Sequence, residues 1–212
     1  MISILYNLKI ESDFLIGTGT GSISSDDQTV TDNNGNLIIP GSTIKGLLRW
    51  EAAALCDYLG IYTCDGRMGE EYHLCGIHDD KLCPLCAIFG SVRHQSAFHF
   101  SSAEPTGESK LSRRAFNAIN PETGAVKDTG LFFYDMARGG SFNGSIEQFY
   151  SLPEPILKDG NGIQLLETLL KTSLGMVRAI GRGKSRGHGA CKFEIESWPT
   201  SDQIKEVKSW RF

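Results

Sequence analysis

Cys64, Cys75, Cys83 and Cys86 lie close together in the chain, with His73 and His78 between them. Cys83-Pro-Leu-Cys86 has the spacing at which two thiolates grip one tetrahedral zinc. Cys64 with Cys75, or either histidine, would close the set. A redox dithiol carries the same C-x-x-C at a strand-to-helix turn of a thioredoxin-like unit, which this sequence lacks. The spacing therefore predicts a structural zinc, with no open position marked for catalysis. Cys56 and Cys191 fall on apolar faces and read as buried thiols.

A second chemical stretch is "GRGKSRGHG", residues 181–189. From Lys171 to Lys192 the chain carries Lys171, Arg178, Arg182, Lys184, Arg186 and Lys192 and no acid. Its glycines superficially match dinucleotide and P-loop motifs, but those open a helix, whereas this loop follows a helix and opens a strand. What remains is a backbone able to approach an oxyanion closely, with cations to neutralise it. A polyphosphate is the natural partner, bound in a salt-sensitive way. Lys45 and Arg49, one helical turn apart on a predicted helix, would add a second pair of phosphate contacts.

The third stretch is the long loop "GTGTGSISSDDQTVTDNNGNLIIPGS", with Asp26, Asp27 and Asp32. Compact domains rarely leave such a loop without a task. His94, His99 and Tyr134 are weaker candidates for a general base acting on RNA.

These residues need a frame. Ile2, Ile4, Tyr6, Leu8 and Ile10 alternate, which predicts a strand. A second strand candidate ends at Leu37–Pro40, followed by a helix with Ser42 placed to cap it. Residues 60–88 have no steady period and read as an insertion; 97–101 read as a short strand; 102–128 are polar and turn-rich. "GLFFYDM" and "SFNGSIEQFY" read as two strands joined in a hairpin by "ARGG". A second helix ends at Gly175, the basic loop follows, and "CKFEIES" is the closing strand; the tail beyond Pro199 is polar until Trp210 and Phe212. This order suits an antiparallel α+β sandwich of the ferredoxin-like kind, enlarged by insertions.

The whole chain has 212 residues and a net charge of −4, with 21 basic and 25 acidic residues. Six of those basic residues lie between 171 and 192, so the remainder is strongly acidic. The asymmetry does not announce a nucleic-acid binder but permits a local anion-binding face. No apolar run is long enough to span a membrane, and the start lacks the pattern of an export signal. Six cysteines in that context predict an intracellular, cytoplasmic protein with reduced thiols.

"IIPGSTIKGLLR", "CPLCAIFGS", "RRAFNAINPETGAVKDTGLFFYD" and "GRGKSRGHGACKFEI" together resemble the RAMP superfamily. Most closely they resemble the small single-domain backbone subunit of type III CRISPR effector complexes, from the first strand to about Trp198. The resemblance implies a modified ferredoxin-like, RRM-like antiparallel sheet with helices on one face. It implies a single RAMP domain over 1–212, with a Cys-rich zinc-binding insertion at 60–90 and a thumb-like insertion and β-hairpin at 102–150. Such a subunit of antiviral defence binds a CRISPR guide RNA in a ribonucleoprotein filament with further copies of itself and other type III subunits. The implied RNA contacts are Ser42, Lys45, Arg49, Arg178, Arg182, Lys184, Ser185, Arg186 and His188; the implied zinc ligands are Cys64, Cys75, Cys83 and Cys86.

A loop aspartate of the family acts as an endoribonuclease (a hydrolase-type nuclease), cutting complementary target RNA at regular intervals. Asp26 sits closest to that position by spacing from Asp32 and Pro40, and Asp27 is adjacent; both are candidates. With a pKa near 4 a carboxylate is a weak base at pH 7, so its tasks are to orient the RNA 2′-hydroxyl or to hold Mg or another divalent metal. A catalytically inactive RNA-binding scaffold is the alternative. A stand-alone enzyme trimming precursor guide RNA through His94, His99 or Tyr134 is a third reading.

Overall fold

A computed structural model describes residues 1–19, 27–64, 82–91, 94–108, 110–152 and 161–209. The chain is α+β and nearly all its strand pairing is antiparallel. Strand β1 (Ser3–Ile10) lies between β7 (Gly140–Gln148) and β8 (Cys191–Ile195), and β3 (Phe98–Phe100) extends the sheet beyond β7. The alternation read from the sequence decides the faces. Ile2, Ile4, Tyr6, Leu8 and Ile10 enter the core, while Leu5 on the other face is 70% exposed. Helices α1 (Gly41–Leu59) and α3 (Gly162–Met176) pack together over the inner face. Ile44, Leu48, Leu166, Leu169 and Leu170 come from helical spacing and are essentially inaccessible. Fully burying such a side chain stabilises the fold by about 1.5–3 kcal/mol.

The inner face has one polar intruder. Tyr6 fits because its partner Gly144 has no side chain, and burial pushes its hydroxyl pKa upward. The open outer face is no cradle for a polyanion: Lys9 is paired with Glu194 at 2.8 Å, and Glu147 lies on the neighbouring strand.

A second, smaller sheet carries the projecting part. Strand β5 (Leu111–Ile119) pairs antiparallel with β6 (Val126–Ala137), and the short β2 (Asp27–Gln28) joins the other edge of β6 in parallel. The expected hairpin between 130–136 and 141–150 is therefore not formed. Strand β6 pairs with β5, whereas β7 pairs with β1, and the chain passes from one sheet to the other at Arg138–Gly139. Nor is 102–128 simply turn-rich: it holds β4 (Glu104–Pro105), which pairs with β7, and all of β5. Most of β5 is exposed on both faces, so no alternation marked it as a strand. The segment Asn120–Ala125 of the motif "INPETGAV" forms the hairpin tip, closed by Asn120 N–H to Ala125 O and Gly124 N–H to Asn120 O.

Several boundaries move. Helix α1 starts after Pro40 with no side-chain cap, so Ser42 is an exposed helical residue and not the cap. Its start is fixed by packing instead, since a Cβ on Gly41 would collide with the carbonyl of Phe100. Leu37 and Ile39 form isolated bridges to Thr31 and Ala103 in place of a second strand. Helix α2 (Pro84–Phe89) lies inside the stretch read as an insertion, yet all six of its residues are buried. Helix α3 continues to Met176; Gly175 does not end it but leaves room for the Trp198 ring, 3.1 Å from where a Cβ would sit. The polar tail forms a helix, α4 (Ser201–Ser209), which docks on α3 through the buried Val207. Trp210 and Phe212 lie outside the described residues.

That docking has a measurable consequence. Val207→Ser is expected to lower unfolding stability by about 2 kcal/mol, the scale for one buried valine. Urea denaturation monitored by tryptophan fluorescence would read it.

Candidate nucleic-acid interface

Three segments distant in sequence meet at one place. The first is the loop after β1. Residues 16–18 and 28–30 pair with each other through Thr18 N–H to Gln28 O and Val30 N–H to Ile16 O. Asp27 is thereby set opposite Tyr134 of β6. Asp27 is buried, its side chain 4% exposed, and its carboxylate accepts the Gln28 N–H at 2.9 Å; beneath it, any Cβ on Gly17 would collide with the carboxylate. Asp32, by contrast, is tied into a turn. It accepts the N–H groups of Asn34 and Asn36, and hydrogen bonds from Asn36 hold its carboxyl below the usual range. Asp26 lies outside the described residues.

The second segment is the glycine loop. Gly181 and Gly189 have φ of +81° and +69°, and a Cβ at either would strike a backbone carbonyl, of Leu15 and Ile180 respectively. The glycines thus make a tight, closed loop and not an open anion cradle. The N–H groups of Arg182, Arg186, Gly187, His188 and Gly189 already donate to protein carbonyls. Recognition of an anion therefore falls mainly to side chains.

Those side chains are fewer than the composition suggests. Arg182 Nη1 lies 2.6 Å from Asp27 Oδ2 while its own side chain stays 59% exposed. Lys171 pairs with Glu167 at 2.8 Å and Lys192 with Glu11 at 3.5 Å. Arg178 Nη1 donates to the Gly175 carbonyl at the end of α3, where a cation suits the helix dipole. Among the described residues, Lys184 and Arg186 have no carboxylate partner, and both are exposed. Ser185 lies between them in a single 3-10 turn.

The third segment is the base of the β5–β6 hairpin. On one face the antiparallel register sets Phe116 beside Phe132, with Arg114 beside Tyr134. Phe116 stacks on Phe132 at 5.6 Å, and Tyr134 lies 5.3 Å from Phe116. His188 meets Phe116 edge-on at 6.0 Å, and the Arg186 guanidinium sits 6.0 Å over the same ring. Arg114 is held by Asp13 at 2.7 Å. Sequence reasoning selected Arg182, Arg186 and His188 but missed Phe116, Phe132 and Arg114. The signal available was the aromatic run "LFFY" and the cation–aromatic content of "RRAFNA", but β5 has no apolar alternation to mark it as a strand.

The remaining candidates sit elsewhere. Lys45 Nζ lies 5.8 Å over the Phe100 ring; desolvation, and then the charge of Arg49, lower its pKa. Arg49 donates to the Gly90 carbonyl at 2.9 Å. His99 stacks on Phe149 at 4.9 Å, and His94 is tied by its backbone to Ser91. Their described contacts bring neither histidine to Tyr134.

The sequence profile of the RAMP superfamily matches residues 7–192. The chain belongs to the RAMP superfamily. RAMP proteins bind CRISPR RNA within CRISPR complexes, and some are ribonucleases. A comparison with curated proteins gave no match. The matched span of the RAMP domain contains the aspartate loop, the hairpin and the glycine loop together.

It also contains the cysteines. Cys64 follows α1, Cys83 caps the start of α2, and Cys86 lies in its first turn. All three are buried; Cys64 Sγ is 3.0 Å from Cys86 Sγ and 3.6 Å from Cys83 Sγ. Zinc bonds of about 2.3 Å in a tetrahedron place sulfurs roughly 3.8 Å apart, so the triad fits. Hydrogen bonding with Cys64 and Cys83, then burial, push the Cys86 thiol pKa up, since both favour the protonated thiol. Cys75, His73 and His78 lie outside the described residues. Cys56 and Cys191 are buried outside the triad, their thiols pushed by burial to about 12 and about 11.

Two outcomes are expected. Elemental analysis of the purified RAMP protein should find stoichiometric zinc, lost in Cys83→Ser, and chelation should lower its melting temperature. Arg182→Ala should cost about 2 kcal/mol by leaving the buried Asp27 charge uncompensated. Adding Asp27→Asn should recover part of that loss in urea unfolding, because no charge is then stranded.

Proposed function

We propose that this RAMP protein is a guide-RNA-binding backbone subunit of a type III CRISPR complex, and that its aspartate loop cleaves complementary target RNA. The observation that carries this reading is the meeting of Asp27 with Arg182 at the foot of an exposed hairpin. A carboxylate beside a guanidinium is a suitable pair for RNA cleavage. The guanidinium neutralises charge growing on the scissile phosphate, and the carboxylate orients the adjacent 2′-hydroxyl for in-line attack. A positioned base of this kind contributes roughly 10²–10⁴-fold. Among the described residues no group of carboxylates gathers at Asp27 to hold Mg, so no step is routed through a divalent ion.

Asp27 has its carboxylate against a cation suited to meet the phosphate; Asp26 lies outside the described residues and stays a candidate beside it. The same burial favours the alternative too: an aspartate that only anchors Arg182 would make the subunit a silent scaffold. Separate Ala substitutions at Asp26 and Asp27 in assembled complexes decide. Loss of target cleavage in Asp27→Ala alone, with guide RNA retained, is the expected result. Loss only in Asp26→Ala moves the reaction to the neighbour, and unaltered cleavage in the double variant leaves the scaffold.

Guide binding has its own signature. Replacing both Lys184 and Arg186 by Ala should reduce the slope of log K against log salt by about 1.4 for single-stranded RNA, at roughly 0.7 per lost phosphate contact.

A further inference from the structure

Helix α1 buries one side against the sheet and α3, and its opposite side carries a row that neither the core nor the RNA-binding reading uses. Gly46, Trp50, Ala54 and Tyr58 recur at intervals of four, so they form a single ridge along the helix. All four are exposed, and nothing lies near the place where a Cβ on Gly46 would sit. Trp50 is 73% and Tyr58 86% accessible, more than any other described Phe, Trp or Tyr. The open side of a helix ordinarily carries charged and polar residues. Trp and Tyr are instead the residues enriched at the centres of protein interfaces, so the ridge fits a protein partner.

The order of sizes along the ridge says which partner. From Gly46 to Tyr58 it runs small, large, small, large. Turned end for end it runs large, small, large, small. A second α1, laid antiparallel about the midpoint between Trp50 and Ala54, sets each Trp50 against the other copy's Ala54 and each Tyr58 against the other's Gly46. Every ring then meets a gap, and no two rings collide. Aligning two ridges of this kind crosses the helices at about −50°, the commonest packing angle.

Charge agrees with the same pairing. At about 100° per residue, Arg49 and Asp57 lie on the same side of the ridge, Arg49 before its centre and Asp57 beyond it. A two-fold axis between antiparallel helices brings like sides together, so Asp57 of each copy comes beside Arg49 of the other. Arg49 Nη1 donates to the Gly90 carbonyl, and the guanidinium has further donors for a carboxylate. A parallel arrangement would set Trp50 against Trp50 and Asp57 against Asp57.

We propose that the exposed ridge of α1 is a homodimer contact, joining two copies of this chain antiparallel about a two-fold axis. The same patch serves on both sides, so the contact closes at two copies. It needs no RNA and goes beyond the functional reading above without resting on it. A head-to-tail array along one RNA strand is heterologous and uses other surfaces. One helix face is smaller than the roughly 800 Å² per partner of a standard interface, so the dimer is expected to be of micromolar strength.

Sedimentation velocity of the full chain without RNA is the test. A reversible monomer–dimer equilibrium is expected between about 1 and 100 μM. Ala54→Glu and Ala54→Lys each alter a position that is exposed in the monomer. Each alone should weaken dimerisation about tenfold or more, because like charges then meet across the axis. Mixing the two variants should restore the dimer, since opposite charges face each other only in a two-fold contact; misfolded chains would not recover. Trp50→Ala should weaken association to a similar degree. A chain that stays monomeric throughout that range overturns the proposal, and so does a dimer that all three variants leave intact. Association lost in both Ala54 variants and not recovered on mixing overturns the two-fold arrangement.

Discussion

One ion pair joins the parts of the surface that matter. Asp27 and Arg182 come from opposite ends of the chain, and their contact at 2.6 Å joins the aspartate loop to the glycine loop. The pair is asymmetric. The carboxylate is sunk in protein and fixed by its own backbone pairing with β6, while the guanidinium is more than half exposed. The buried partner therefore sets where the exposed cation points. Desolvating a carboxylate is costly unless a cation stays with it, so the glycine loop is not free to drift away. The glycines on both sides serve this contact: Gly17 leaves room for the carboxylate, and the tight loop holds Arg182 by donating its N–H to the Leu15 carbonyl.

The same anchoring shapes the hairpin. An isolated two-stranded ribbon is marginal in water, and here only its base is braced. Strand β2 adds a third strand there, the Phe14–Ala137 bridge ties it to the loop after β1, and Arg114 is clamped by Asp13. Toward the tip, residues 121–129 are exposed and the pairing is irregular between Asn117 and Ile119. Stability should thus fall from base to tip, so the tip can move while the ring cluster at the base stays in place.

The sequence was most legible where one face of an element is dry. The alternation of β1 and β8 and the helical spacing of α1 and α3 each report a single buried face, and each element is present. Strand β5 has no dry face, so nothing in "LSRRAFNAI" could register as alternation; α4 hides behind one buried valine in a polar stretch. The cysteine spacing foretold that Cys64, Cys83 and Cys86 would converge, because ligand spacing is local chemistry. Contacts across the fold carry no such local signature. Gly175 read as a helix stop and is a seat for Trp198; the basic run read as free charge, although Lys171, Arg182 and Lys192 are each paired with an acid.

That pairing bears on how tightly one copy can hold RNA. With Arg182 shared with Asp27, and Lys171 and Lys192 neutralised, Lys184 and Arg186 are the loop cations with no carboxylate partner among the described residues. In the proposed role, two such cations on phosphates would give modest affinity, and the acidic remainder of the chain opposes more. If it acts as the proposed backbone subunit, one copy gains little by gripping alone. Set side by side along one RNA strand, each copy raises the effective concentration of the next, and weak grips multiply into stable occupancy. A surface that is weak singly and strong in series also releases a misplaced copy quickly. The glycine loop, with Arg182 committed to Asp27, is a weaker cationic patch than its composition suggests, and in the proposed role it is suited to repetition and not to solitary binding.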